Sequence, residues 1–178
     1  QNSFGFEFKF LRRAVAGDRN LQLQAFVRAG DGRLVAMADR NAMNTSKTPK
    51  LEFSQAGLAA YAVLVLGDLP PEALTADQYQ AIREFVDRGG GLVLLGGASG
   101  MATEGLSKTA LAELSPAKLP AEYKEGKFGV KITDAGLRHP VFGTLFADLK
   151  EFPPLLSVNI AKSSSPAAEI LVEAIDNG

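Results

Sequence analysis

The chain has 178 residues, 46% of them hydrophobic and 22% charged, which suits one globular domain with a sizeable core and excludes wholesale disorder. Its 19 basic residues stand against 20 acidic ones, a net charge of −1, so no general electrostatic grip on nucleic acid or on an anionic membrane is expected. Cysteine is absent and histidine occurs once, which excludes disulfides, thiolate metal sites, a cysteine nucleophile and a multi-histidine metal centre.

Phe8, Leu11 and Val15 share the spacing of one helical face, and Gly17 follows as a stop. Phe4, Phe6, Phe8 and Phe10 also alternate, a pattern for core packing or a partner contact, since RNA binding would need a basic patch as well. Leu21, Leu23, Ala25 and Val27 then recur with the period of a strand. From Arg28 to Lys50 the pattern dissolves into a long surface loop with room for a small hairpin, Asp31 and Gly32 marking a turn.

The centre is the clearest part. Tyr61 to Leu66 is an unbroken apolar run, as expected of a strand buried on both faces. The turn residues Gly67 to Pro71 end it. Thr75 and Gln78 have capping-box spacing, and Tyr79, Ile82, Phe85 and Val86 line one helical face, which predicts a helix over Thr75 to Arg88 stopped by Gly89 to Gly91. Leu92 to Leu95 is a second apolar run. Strand, helix and strand with short connections form a βαβ unit, so the two strands are expected to be adjacent, parallel and interior.

Further on, Thr109 to Leu114 reads as a short helix, and Lys127 to Thr133 as a weakly alternating strand. Leu155 to Ile160 reads as another strand, and Ala168 to Ile175 as the last one, after a turn at Ser163 to Pro166. No run approaches the roughly 18 apolar residues of a membrane span, and no basic start with an apolar block opens the chain. The first residue is Gln1 and the last strand pattern stops close to the terminus, so residues 1–178 read as a single domain cut from a longer polypeptide.

The candidate chemistry is sparse. A dinucleotide fingerprint needs G-x-G-x-x-G; Gly97 and Gly100 supply part of that spacing, but the next glycine is Gly105. A helix stop at Gly89 to Gly91 and a tight strand exit at Gly96 to Gly100 account for these glycines. Ser99 follows a buried strand, where α/β hydrolases hold their nucleophile, yet Gly97-x-Ser99 is followed by Met101 where the elbow needs glycine. His139 is the one imidazole that could serve as base; before Pro140 and among Leu137, Val141 and Phe142 it reads as a packed structural residue. Asp68 stands at the carboxyl end of a strand, where open α/β sheets bind ligands, and equally suits a cap on the Gly67 to Pro71 turn.

The segments Tyr61 to Pro71, Phe85 to Gly97, Leu137 to Phe142 and Pro153 to Leu156 together resemble the bacterial class I glutamine amidotransferase-like domains, over most of the chain from about Phe8 to Ile175. The resemblance implies an α/β, flavodoxin-like parallel sheet flanked by helices. It also implies a cysteine on the turn after Leu92 to Leu95 and a His-x-Glu pair late in the chain. Gly96 to Ser99 occupy that turn without a cysteine, and Val141 stands where the glutamate would follow His139 and Pro140.

The expectation is therefore a module with no catalytic residue, no metal and no cofactor. It would serve a structural or protein-interaction role, its partners being another protein or neighbouring domains of a larger envelope-associated bacterial protein. Relatives of this type sit in membrane-anchored proteins, a context that fits a periplasm-facing fragment without cysteine. The first alternative is a small-ligand-binding or sensing domain using a strand-end crevice at Gly67, Asp68, Gly97, Ala98 and Ser99. The second is a divergent hydrolase using Ser99, or a metal at Asp68. Neither nucleic-acid binding nor direct membrane insertion is expected.

Overall fold

In the computed structural model, which describes residues 6–30, 33–37, 51–142 and 152–176, the chain divides into two units, Gln1–Ala60 and Tyr61–Gly178. In the first unit the expected helix is α1 (Phe6–Val15). Its Phe8, Leu11 and Val15 are half-buried, whereas Phe10 is 68% exposed. Phe4 and the side chain of Phe6 lie outside the described residues. The strand expected from Leu21 starts later, as β1 (Ala25–Arg28), and pairs antiparallel with β2 (Leu34–Met37), Ala25 facing Met37 and Arg28 facing Leu34. A small hairpin is present, but only its second strand falls within the Arg28 to Lys50 stretch, its first being the end of the preceding strand pattern; residues 31–32 and 38–50 of that stretch lie outside the described residues. A single turn, α2 (Gln55–Leu58), was not legible in the pattern. Ser54 caps it, its hydroxyl accepting the Gly57 N–H at 3.1 Å, and Leu58 is fully buried.

The second unit opens with the expected βαβ. β3 (Val63–Leu66) and β4 (Gly91–Leu94) run parallel in register, Val63 beside Gly91 and Leu66 beside Leu94. Between them lies α3 (Ala76–Asp87). Its capping box forms in full: the Thr75 hydroxyl accepts the Gln78 N–H at 3.3 Å, and the Gln78 side chain accepts the Thr75 N–H at 2.9 Å. The helix ends in a Schellman arrangement, with the Gly90 N–H donating to Phe85 O at 3.0 Å and the Gly89 N–H to Val86 O at 2.8 Å. Gly89 takes φ of 96°, the left-handed conformation that makes glycine the favoured residue there.

One expectation fails here. Among the described residues β3 and β4 form a two-stranded sheet, and Val63, Val65 and Val93 are 52%, 37% and 43% exposed, so the strands are not interior. An unbroken Val/Leu run reports β-propensity and one buried face; it does not reveal whether a second layer covers the other face.

The helix expected at Thr109 to Leu114 is a 3₁₀ turn, Ala110–Glu113, capped by Thr109 and preceded by a second 3₁₀ turn, Leu106–Lys108. Leu106 and Leu111 are buried, as are Tyr79, Ile82 and Phe85 on α3, and the Arg83 guanidinium meets Glu113 at 2.6 Å. The strands β5 (Glu122–Ile132), β6 (Leu155–Ile160) and β7 (Val172–Asp176) make an antiparallel sheet in the order β6-β5-β7. β6 has the bounds the sequence pattern predicts. β5 begins earlier than Lys127, with an irregularity between Glu125 and Phe128, and β7 begins later than Ala168. The short helix α4 (Asp134–Arg138) follows β5, capped by the Thr133 hydroxyl. The protein is thus mixed α/β, with one parallel strand pair among the described residues.

Candidate functional site

The strand-end crevice is built where β3 and β4 both stop. Leu66 runs into Gly67 and Asp68, and Leu94 runs into the tight exit Gly96 to Gly100. The Leu95 N–H still donates to Leu66 O at 2.9 Å, so the two exits leave the pair side by side. This brings together Asp68, Gly97, Ser99 and Gly100. The Asp68 carboxylate accepts the Ser99 N–H with both oxygens at 3.0 Å and the Gly100 N–H with Oδ1 at 2.7 Å. Asp68 therefore does cap a turn, but the β4 exit rather than its own Gly67 to Pro71 segment, where the Leu69 N–H turns back onto Gly67 O at 2.8 Å.

The glycines are explained by this approach. A Cβ on Gly97 would overlap the Asp68 carboxyl group, and one on Gly100 would lie 2.8 Å from Leu69 O. Gly67, Ala98 and Ser99 are exposed at the rim, and Ser99 enters the network through its backbone N–H. Sequence reasoning missed Asn159. On β6, it accepts the Gly97 N–H with Oδ1 at 2.7 Å and donates through Nδ2 to Gly97 O at 3.0 Å and Ala121 O at 3.3 Å. The available signal was an asparagine, a residue depleted from strands, amid the apolar run Leu155 to Ile160.

Beneath the crevice lies a cavity of about 20 Å³, lined chiefly by apolar side chains such as Leu66, Leu74, Leu94, Met101 and Leu111. That volume suits one water-sized occupant and is far below what a metabolite needs. Tyr79 closes one side and donates its hydroxyl to Pro71 O at 3.0 Å. Burial, aided by the Glu72 carboxylate, pushes its phenol above the ordinary range. The unfolded chain then loses this proton first on alkalinisation. The stabilisation is fully present below the unfolded pKa and is lost as pH rises through the folded one. Urea melts between about pH 8 and 11 should show stability falling along the alkaline limb, and Tyr79→Phe should flatten that limb while costing about 1 kcal/mol at neutral pH. An unchanged alkaline slope in the variant would contradict this assignment.

His139 is half-buried at the end of α4, where its Nδ1 accepts the Val141 N–H at 3.2 Å. No hydrogen bond joins it to Ser99, so the geometry gives that serine no imidazole base. Among the described residues no three His, Asp or Glu side chains are grouped to hold a metal ion, and no helix is long and apolar enough to cross a membrane.

No family model matches the chain, and neither does any curated protein. It is similar to a solved structure, the cytoplasmic protein STM3548 from Salmonella typhimurium, at 22% identity and a TM-score of 0.59. The match covers 70% of this chain and 56% of that one, so the chain spans little more than half the length of the protein it resembles. At that identity the likeness is one of fold.

Proposed function

We propose that this chain is a non-catalytic module of the class I glutamine amidotransferase-like type, flavodoxin-like in architecture, which acts through contacts with a protein partner or with neighbouring domains of a larger envelope-associated bacterial protein. The observation that carries the reading is a strand-end crevice filled from within. Asp68 takes up the Ser99 and Gly100 amides, and the cavity below has room for little more than a water molecule. The βαβ unit, with its parallel strand pair, supports the architectural half of the proposal. Apolar side chains instead stand on open surface: Leu156 and Ile160, on one face of β6, are 69% and 46% exposed.

The test is complementation of a deletion strain by the full-length parent protein. Ser99→Ala should complement fully, because its hydroxyl has no task under this reading. Leu156→Asp with Ile160→Asp should weaken partner capture by roughly 30-fold or more, the effect of losing an interface anchor worth about 2 kcal/mol. A folded Ser99→Ala protein that fails to complement would hand the site to the ligand-binding or hydrolase reading.

A further inference from the structure

The Asp68 carboxylate is bound as an anionic ligand would be. Two backbone N–H groups, from residues 31 and 32 positions away in the chain, converge on it at 2.7–3.0 Å, and the glycine at position 97 lets it approach. Such convergent amides form a concavity suited to anions. Other contacts also hold the same turn. Asn159 grips Gly97 by both its N–H and its carbonyl. Thr103 donates its N–H and its hydroxyl to Gly100 O at 3.0 and 2.9 Å, and the Ala121 N–H donates to Met101 O at 2.8 Å. The cradle therefore has supports that do not depend on its occupant. Asp68 and Ser99 are both exposed while Gly100 is buried, so the cradle opens to solvent on the Ser99 side.

We infer that the Ser99 and Gly100 amides form a preorganised carboxylate-binding cradle, and that Asp68 is its built-in occupant, closing it to small carboxylate-bearing solutes. A tethered carboxylate competes at high effective concentration, so a free one cannot displace it at ordinary concentrations. Removal of the tethered group leaves two aligned donors without their acceptor, and a small carboxylate entering from the Ser99 side can take the vacated place. This inference stands on the hydrogen-bond geometry and is independent of any partner, so complementation and anion binding can fail separately.

The probe is sodium acetate, with sodium chloride at equal ionic strength as control, read by backbone amide NMR. In the native protein the Ser99 and Gly100 resonances should show no saturable shift. In Asp68→Ala they should shift saturably with acetate, with an apparent Kd at least about tenfold below any native response. Acetate should also raise the Tm of the variant above the chloride control. If Asp68→Ala does not fold, Asp68→Asn carries the comparison. It keeps one acceptor of the same shape but loses the charge, so acetate should compete for the amides at higher concentration. A folded variant that gives no saturable shift at these amides, or a native protein that binds acetate equally well, overturns the inference and leaves Asp68 as a loop staple only.

Discussion

Phe85→Ala is expected to lower the stability of the Tyr61–Gly178 unit by about 3–5 kcal/mol, the range for emptying a large buried aromatic site. Phe85 is 5% exposed and lies on the stripe of α3 that also buries Tyr79 and Ile82. Its ring has a second partner: a Cβ on Gly90 would overlap it, so the ring packs directly on the backbone of the helix stop. The alanine variant thus loses core packing and the apolar contact that accompanies a Schellman ending. Equilibrium urea melts measure the difference, provided the slope of the transition is unchanged. Phe10→Ala, which removes a ring 68% exposed on α1, should change the unfolding free energy by no more than about 0.5 kcal/mol. A Phe85→Ala loss under about 1 kcal/mol would mean that the buried stripe of α3 is misplaced.

The contrast between α3 and its flanking strands shows what sequence patterning can and cannot convey. α3 is legible because each of its determinants is local: the Thr75–Gln78 box, the apolar spacing from Tyr79 to Phe85, and the glycines after Arg88. β6 is legible for the same reason, bounded by prolines on one side and polar residues on the other. The exposure of Val63, Val65 and Val93 is not local, since it depends on which layers reach the pair. β5 extends further than its pattern predicts because Glu122 to Gly126 carries no alternation; the register there comes from Asn159, Val158 and Ser157 on the partner strand. β7 starts late because residues just before it are used elsewhere: the Thr133 hydroxyl donates to Ile170 O at 2.7 Å and the Thr133 N–H to Leu171 O at 3.0 Å.

The site divides along the same line. Its glycines, Asp68 and Ser99 were visible as a cluster at strand ends, because the βαβ pattern places both exits together. The partner of each was not. The Asp68 carboxylate reaches amides on the other strand exit, and Gly97 is held from a strand more than sixty residues away, at Asn159. A turn residue in sequence and a cross-chain ligand in structure are the same aspartate, distinguished only by tertiary contact.

Asn159→Ala is the complementary expectation, with a loss of about 2–3 kcal/mol. A net hydrogen bond contributes about 1 kcal/mol, and a partly buried donor left without its acceptor costs about 1–3 kcal/mol. Asn159 makes three such bonds, two to Gly97 and one to Ala121 O. Ala121 is itself buried, so its carbonyl has little access to water once the side-chain amide is gone. Leucine would not substitute, since it fills the space without supplying either a donor or an acceptor. Aspartate would keep the acceptor for the Gly97 N–H but would set a carboxylate oxygen against the carbonyls of Gly97 and Ala121, so it should be at least as damaging as alanine. Hydrogen exchange gives the local readout: the Gly97 amide should lose protection in Asn159→Ala by more than the global loss of stability explains, while amides of α3 should follow the global value. If the Gly97 amide instead exchanges in step with α3, Asn159 contributes to general stability and does not hold the β4 exit.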